Sequence, residues 1–167
     1  MKYLTLAILT AMTALTGCSL QGYSTESVYP DGVSTVYVEM FQNQSFRRDI
    51  EFDLSDALAK RIETHTPYKV VSNRNRADSV ISGYIANADE SSLSIERQTG
   101  RALEREVILH AVVSWKDMKT GEFLLENHRV NAAASYSQWL NQSFEYASTL
   151  AANKLAENIV DQMTIQW

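Results

Sequence analysis

Between Val33 and Ile62 the spacing of hydrophobic positions changes from two to nearly four. Val36, Val38 and Met40 alternate with Tyr37, Glu39 and Phe41, which predicts a strand with two unlike faces. Asn43, Gln44 and Ser45 interrupt it with side chains that bond their own backbone, and Ile50, Leu54, Ala57, Leu58 and Ile62 then recur at helical spacing. His65-Thr66-Pro67 ends that helix, because the residue before proline is pushed out of the α region. The apolar stripe needs cover. A short strand over Tyr68 to Ser72 would supply it together with the first strand, completing a β-α-β unit with a right-handed crossover.

Ser79 to Ala88 predicts the next strand, with Val80, Tyr84 and Ala86 on one face and Ile81, Gly83 and Ile85 on the other. Gly83 inside it points to a bulge or a close backbone approach, and we place it beneath a helix. Asp89 to Leu103 is polar and reads either as a mobile loop or, in the favoured reading, as the extended arms of a hairpin turning at Gln98-Thr99-Gly100-Arg101. Val107, Leu109, Ala111, Val113 and Trp115 then alternate with Ile108, His110, Val112 and Ser114, the first set facing the core. A turn at Lys116 to Gly121 leads to a return strand from Phe123 to Ser135. Phe144, Ala147, Ala151, Leu155, Ile159 and Met163 mark a closing helix from about Ser143 to Gln162. The expected fold is α+β: a two-layer sandwich with two helices packed on one face of a four- to five-stranded, mostly antiparallel mixed sheet. The opposite face carries Tyr37, Tyr84, Ile108 and Val112, with Leu124 at its border, and is more apolar than a solvated face needs. These are candidate partner-binding residues.

The N-terminus breaks this pattern. Lys2 precedes an apolar run from Leu4 to Leu15, too short to cross a bilayer as a helix but suited to the core of an export signal. Leu15-Thr16-Gly17-Cys18 resembles the lipobox of bacterial lipoproteins. That resemblance implies lipidation of Cys18 as the first mature residue, and hence a body tethered to a membrane without spanning it. An ordinary secretory signal would instead leave an unpaired thiol in an exported chain. Ser19, where retention in the inner membrane commonly calls for Asp, favours the outer membrane. The expected organisation is a signal peptide over 1–17, a lipidated N-terminus and tether over 18–32 that includes Tyr23 and Tyr29, and a single domain over 33–167.

Charge narrows the partners. With 15 basic and 20 acidic side chains the chain is net negative, and removing Lys2 with the signal makes it more so. Overall charge therefore speaks against nucleic-acid binding. The histidines are His65, His110 and His128, without HExxH or a short metal-ligand spacing, and neither GxSxG nor a glycine-rich phosphate loop occurs. His110 and His128 are expected to face each other across the last hairpin with Glu126 nearby, a juxtaposition that arises readily by chance. The expectation is a binding protein without cofactor or metal, not an enzyme.

Several stretches in order resemble the LptE family of lipopolysaccharide-assembly lipoproteins. They are the lipobox with Gly22-Tyr23 after it, Val36-Tyr37-Val38 leading to Met40 to Ser45, Ile50 to Leu58, Ala77 to Ile85, Gly121 in the late hairpin, and the closing helix. Membership would imply two helices on a largely antiparallel sheet. It would also imply an outer-membrane lipoprotein seated with a β-barrel lipopolysaccharide translocon, LptD, which it helps assemble and partly plugs while assisting lipopolysaccharide insertion into the outer leaflet. A lipopolysaccharide contact needs cations for phosphates beside apolar surface for acyl chains. Arg97, Arg101 and Arg105 near the long hairpin are the first candidates, and Lys116 and Lys119 at the other hairpin the second. The competing reading of the arginines is a solvated loop pairing with Glu96, Glu104 and Glu106. Arg47 and Arg48, at the entry to the first helix, oppose its dipole and are left to a partner or to solvent. The rival function is a lipid-anchored, periplasm-facing binding module of another envelope secretion or lipid-transport complex.

Overall fold

The clean alternation around Leu109 sets the centre of the fold. In a computed structural model, which describes residues 29–164, six strands form one sheet: β1 (Thr35–Val38), β2 (Gln42–Asn43), β3 (Lys69–Val70), β4 (Ser79–Ile95), β5 (Ala102–Asp117) and β6 (Phe123–Tyr136). Helices α1 (Ile50–His65) and α2 (Phe144–Asp161) complete the α+β architecture. Cys18, the signal region and most of the tether, Tyr23 included, lie outside the described residues.

The strand order is β3-β1-β4-β5-β6, with β2 also pairing β4. β1 runs parallel to both β3 and β4, while β4–β5 and β5–β6 are antiparallel. Alternate residues of β5 from Val107 to Trp115 are buried, and those between them are half-buried. Leu54, Leu58 and Ile62 of α1 and Ala151, Leu155 and Ile159 of α2 are fully buried in one core with Ile81, Ile85, Leu109 and Trp115. Each large apolar side chain so buried contributes about 1.5–3 kcal/mol against exposure. The Trp115 indole N–H donates to Ser79 Oγ at 2.9 Å, satisfying two polar groups the core would otherwise strand.

The sheet has more strands than expected because the first one breaks. Val38 pairs with Ile81 and Gln42 with Tyr84, so four steps along one strand match three along the other. The extra residue reverses the facing beyond it. Phe41 is therefore buried at 2% exposure and Met40 open at 52%, the opposite of uninterrupted alternation. The strand expected over Tyr68 to Ser72 shortens to Lys69–Val70.

What crowds Gly83 is its neighbour strand and an aromatic ring. A Cβ there would lie 2.3 Å from the Val112 carbonyl oxygen and 2.8 Å from Phe41 Cε1. The helices lie parallel: Thr149 donates to Asp53 at 2.8 Å and Arg61 pairs with Glu157 at 3.2 Å, both contacts spanning 96 residues. Both helix N-termini thus sit at one end of the molecule. Ser143 caps α2 there by accepting from Tyr146 N–H at 3.3 Å.

Candidate docking face and cationic groups

β4, β5 and β6 present a second face away from the helices. Tyr84 and Val112 are direct ladder partners, with Gln42 and Arg129 continuing the row on either side. Ile108 stands four positions from Val112 along β5, opposite Asp89 and Ala133, and Tyr37 pairs with Val80 at the other end. All four expected contact residues are half-buried. Tyr84 and Val112 are shared by two shallow hollows. One, of about 290 Å³, is bordered by Glu39, Met40, Gln42 and Ser114. The other, of about 450 Å³, is bordered by Ala86, His110, Arg129 and Asn131. An apolar floor within a polar rim is the anatomy of a protein-binding surface.

Two expectations about this face are corrected. The ladder sets His110 opposite Asn131 and His128 opposite Val113, so the two histidines are out of register by three positions. An odd offset puts them on opposite faces. His110 instead approaches Asp89 at 3.5 Å, while His128 borders a hollow with Trp115, Leu125 and Met163 on the helix side. Leu124 lines that same hollow. The register shift between Val113 and Trp115, beside Asn127 with its positive φ of 47°, accounts for the displacement. Among the described residues no group of three or more His, Cys, Asp or Glu could hold a metal ion.

The three arginines of the long hairpin do not converge. Arg97 lies in the turn, exposed, without a hydrogen bond or ion pair among the described residues. The Arg101 guanidinium stands over the Trp139 ring at 5.4 Å, beside a hollow of about 250 Å³ that also involves Ala102, Gln138 and Asn141. Arg105 is bound to Glu90 at 2.8 Å. That carboxylate also receives the Tyr136 hydroxyl and, at 3.4 Å, Arg47. Arg47 in turn lies over the Phe144 ring at 4.1 Å. The Tyr136 and Arg105 hydrogen bonds hold the Glu90 carboxyl below the usual carboxylate range. Burial, then Glu90, pushes the Tyr136 hydroxyl up. The partner of Arg105 is therefore Glu90, one diagonal away across the β4–β5 ladder, and not Glu96, Glu104 or Glu106.

At the opposite hairpin Lys116 stands over Phe123 at 5.2 Å. Lys119 bonds Asp78 at 2.8 Å and the Gly32 carbonyl at 2.9 Å, which fastens this turn to the segment entering β1. Sequence reasoning missed the exposed apolar side chains of the hairpin end. Trp139 is 61% exposed, Leu140 72%, Ile95 58% and Leu93 51%. The one signal available was the Trp-Leu pair in the short link between return strand and closing helix. Cation and apolar surface together suit a phosphate-bearing amphiphile.

A family model described as LptE, lipopolysaccharide-assembly, matches residues 33–166. No curated protein matches the chain. Among solved structures, the chain is similar to the hypothetical protein CT253 of Chlamydia trachomatis, with TM-score 0.56, 9% identity and coverage of 78% of this chain and 95% of that one. It is similar to an uncharacterized lipoprotein B of Nitrosomonas europaea, with TM-score 0.53, 20% identity and coverage of 79% and 83%. It is also similar to PelC of Paraburkholderia phytofirmans, a dodecamer, with TM-score 0.51, 12% identity and coverage of 80% and 90%. At these identities the likeness is one of fold.

Proposed function

Because the chain belongs to the LptE family of lipopolysaccharide-assembly proteins, we propose that it is an outer-membrane lipoprotein, anchored through Cys18 and facing the periplasm. In this reading it binds and supports an LptD-like β-barrel translocon and assists insertion of lipopolysaccharide into the outer leaflet. Its work is non-covalent: it holds a partner in place and gives an amphiphile a surface to pass over. The observation that carries this is the half-apolar sheet face centred on Tyr84 and Val112, which, among the described residues, α1 and α2 leave uncovered. The hairpin end supports the lipid side of the reading, since Arg97 lies exposed there and Arg101 stands over the exposed Trp139, with Leu140 exposed beside it.

The test is a pull-down of the full-length lipidated protein from detergent-solubilised envelope, with mass spectrometry of what accompanies it. Recovery of a large outer-membrane β-barrel in near-equal amount is the expected result. Recovery of other envelope proteins without a barrel refutes it and leaves the rival anchored module.

A further inference from the structure

The loop that carries the chain from β2 into α1 is bonded on both sides of one free aromatic ring. Gln44 N–H donates to Ile85 O at 2.9 Å. The Asn43 side chain accepts from Ser45 N–H at 2.9 Å and donates to Arg47 O at 2.6 Å and to the Glu51 carboxylate. Arg47 N–H reaches Ser45 Oγ at 3.3 Å, and its guanidinium is fixed between Glu90 and the Phe144 ring. Asp49, with a left-handed φ of 75°, then opens α1, its carbonyl accepting from Phe52 N–H at 3.1 Å. Between these fixed points the Phe46 side chain is fully exposed.

A lone exposed apolar side chain is ordinary on a protein surface. This one is held out by a backbone pinned before and after it, so the entropy of ordering the loop is lost in folding and not at docking. A pre-ordered aromatic is the usual anchor of a protein interface. Beside it Arg48 and Asp49 are both exposed, and neither side chain has an ion pair or hydrogen bond among the described residues. Phe46 follows Gln42 by four residues, a span of no more than about 14 Å. Gln42 in turn ends the row that runs through Tyr84 and Val112 to Arg129 on the docking face.

We propose that Phe46 is an anchor that enters an apolar pocket on the β-barrel protein the chain assembles with, the rim of that pocket offering a carboxylate to Arg48 and a donor to Asp49. The inference rests on the translocon reading above and adds a contact at the margin of the face described there. Continuity chooses the barrel: a partner that covers the row from Arg129 to Gln42 meets this loop where the row ends. A lipid surface fits poorly, because phosphates that attract Arg48 repel Asp49, whereas a protein places opposite charges one by one. A second copy of this chain fits no better. No carboxylate lines the hollow at Ala86 and His110 or the one at Trp115 and Met163. Glu39, beside the other hollow of the open face, is already held by Arg74 at 2.8 Å.

The experiment is photocrosslinking of the full-length lipidated protein with a benzophenone-bearing phenylalanine in place of Phe46, beside competitive pull-downs of variants. A crosslink to the barrel is expected. Phe46→Ala should cut barrel recovery, in competition with the parent, by about 10-fold, and Phe46→Trp should keep most of it. Arg48→Glu should cut recovery by about as much, because it sets like charges together. Since neither side chain supports the fold, both variants should melt within about 3 °C of the parent. Phe123→Ala, which trims an exposed ring at the opposite hairpin, should leave recovery unchanged. A barrel recovered as well by Phe46→Ala or Arg48→Glu as by the parent, or one that gives no crosslink to position 46, overturns this inference alone. An equal loss with Phe123→Ala does the same, since exposure of any ring would then explain the effect. A crosslink at dimer mass overturns it in favour of a second copy, and one to lipid in favour of a lipid surface. Failure of the parent to recover any barrel overturns the translocon reading and this inference with it.

Discussion

Asp78→Ala is expected to loosen the end of the sheet where the chain enters it. One carboxylate oxygen accepts from Ser34 N–H at 3.0 Å and from the Thr35 N–H and hydroxyl, both at 2.9 Å. The other receives Lys119 at 2.8 Å, so a single side chain ties the start of β1 to the turn between β5 and β6. A hydrogen bond to a charged group contributes about 1.5–3 kcal/mol, but partial exposure lets water replace some of what is lost, so the whole deletion should cost about 2 kcal/mol. Asp78→Asn keeps an acceptor for Ser34 and Thr35 and loses the attraction to Lys119, which should cost about 1 kcal/mol. Those same contacts, the Lys119 hydrogen bond first and then Thr35 and Ser34, hold the carboxyl well below the usual carboxylate range. A depressed folded-state pKa stabilises fully above the unfolded value of about 4 and loses that contribution as pH falls through the folded value. Urea unfolding followed by tryptophan fluorescence, at pH 7 and again near pH 3, measures both effects. The gap between parent and Asp78→Asn should be widest at pH 7 and narrow in acid. A gap that stays constant with pH, or an Asp78→Ala cost below about 0.5 kcal/mol at pH 7, would refute the reasoning.

Gly83→Ala should destabilise by about 3 kcal/mol in thermal or urea melts, because the new methyl meets a backbone carbonyl that cannot step aside. Phe41→Leu in the same background should recover only part of that loss, since it relieves the ring contact and leaves the Val112 carbonyl. Glu90→Gln should cost about 1–2 kcal/mol at pH 7 through weakened bonds to Tyr136 and Arg105. Glu90 is likewise depressed in the folded state, so the difference should fade as the parent is titrated below about pH 4. Val112→Glu, on the half-buried open face, should lower barrel recovery in the pull-down while changing unfolding free energy by less than about 1 kcal/mol. Unchanged recovery would remove Val112 from the docking face.

Period alone determined β5 and both helices, because one strongly apolar side against one polar side leaves a single solution for Val107 to Trp115, for the Leu54 stripe and for the Leu155 stripe. The family, too, was legible, from ordered short stretches spread along most of the chain. Only tertiary structure decided the rest. The extended arms of the long hairpin were legible from the turn residues at Gln98 to Arg101, but the polar half of β4 has no alternation to read, so its register, with shifts at Ile85/Asn87 and Ser92/Ser94, is set only by pairing with β5. Phe41 is in the core and Met40 outside because an extra residue in β1–β2 shifts the phase, and a phase shift is visible only against the partner strand. Arg105 finds Glu90 across the ladder, and His110 and His128 part to opposite faces, for the same reason. Periodicity reports which side of an element is apolar, whereas register, which fixes the neighbour of each side chain, arises from pairing between residues far apart in the chain.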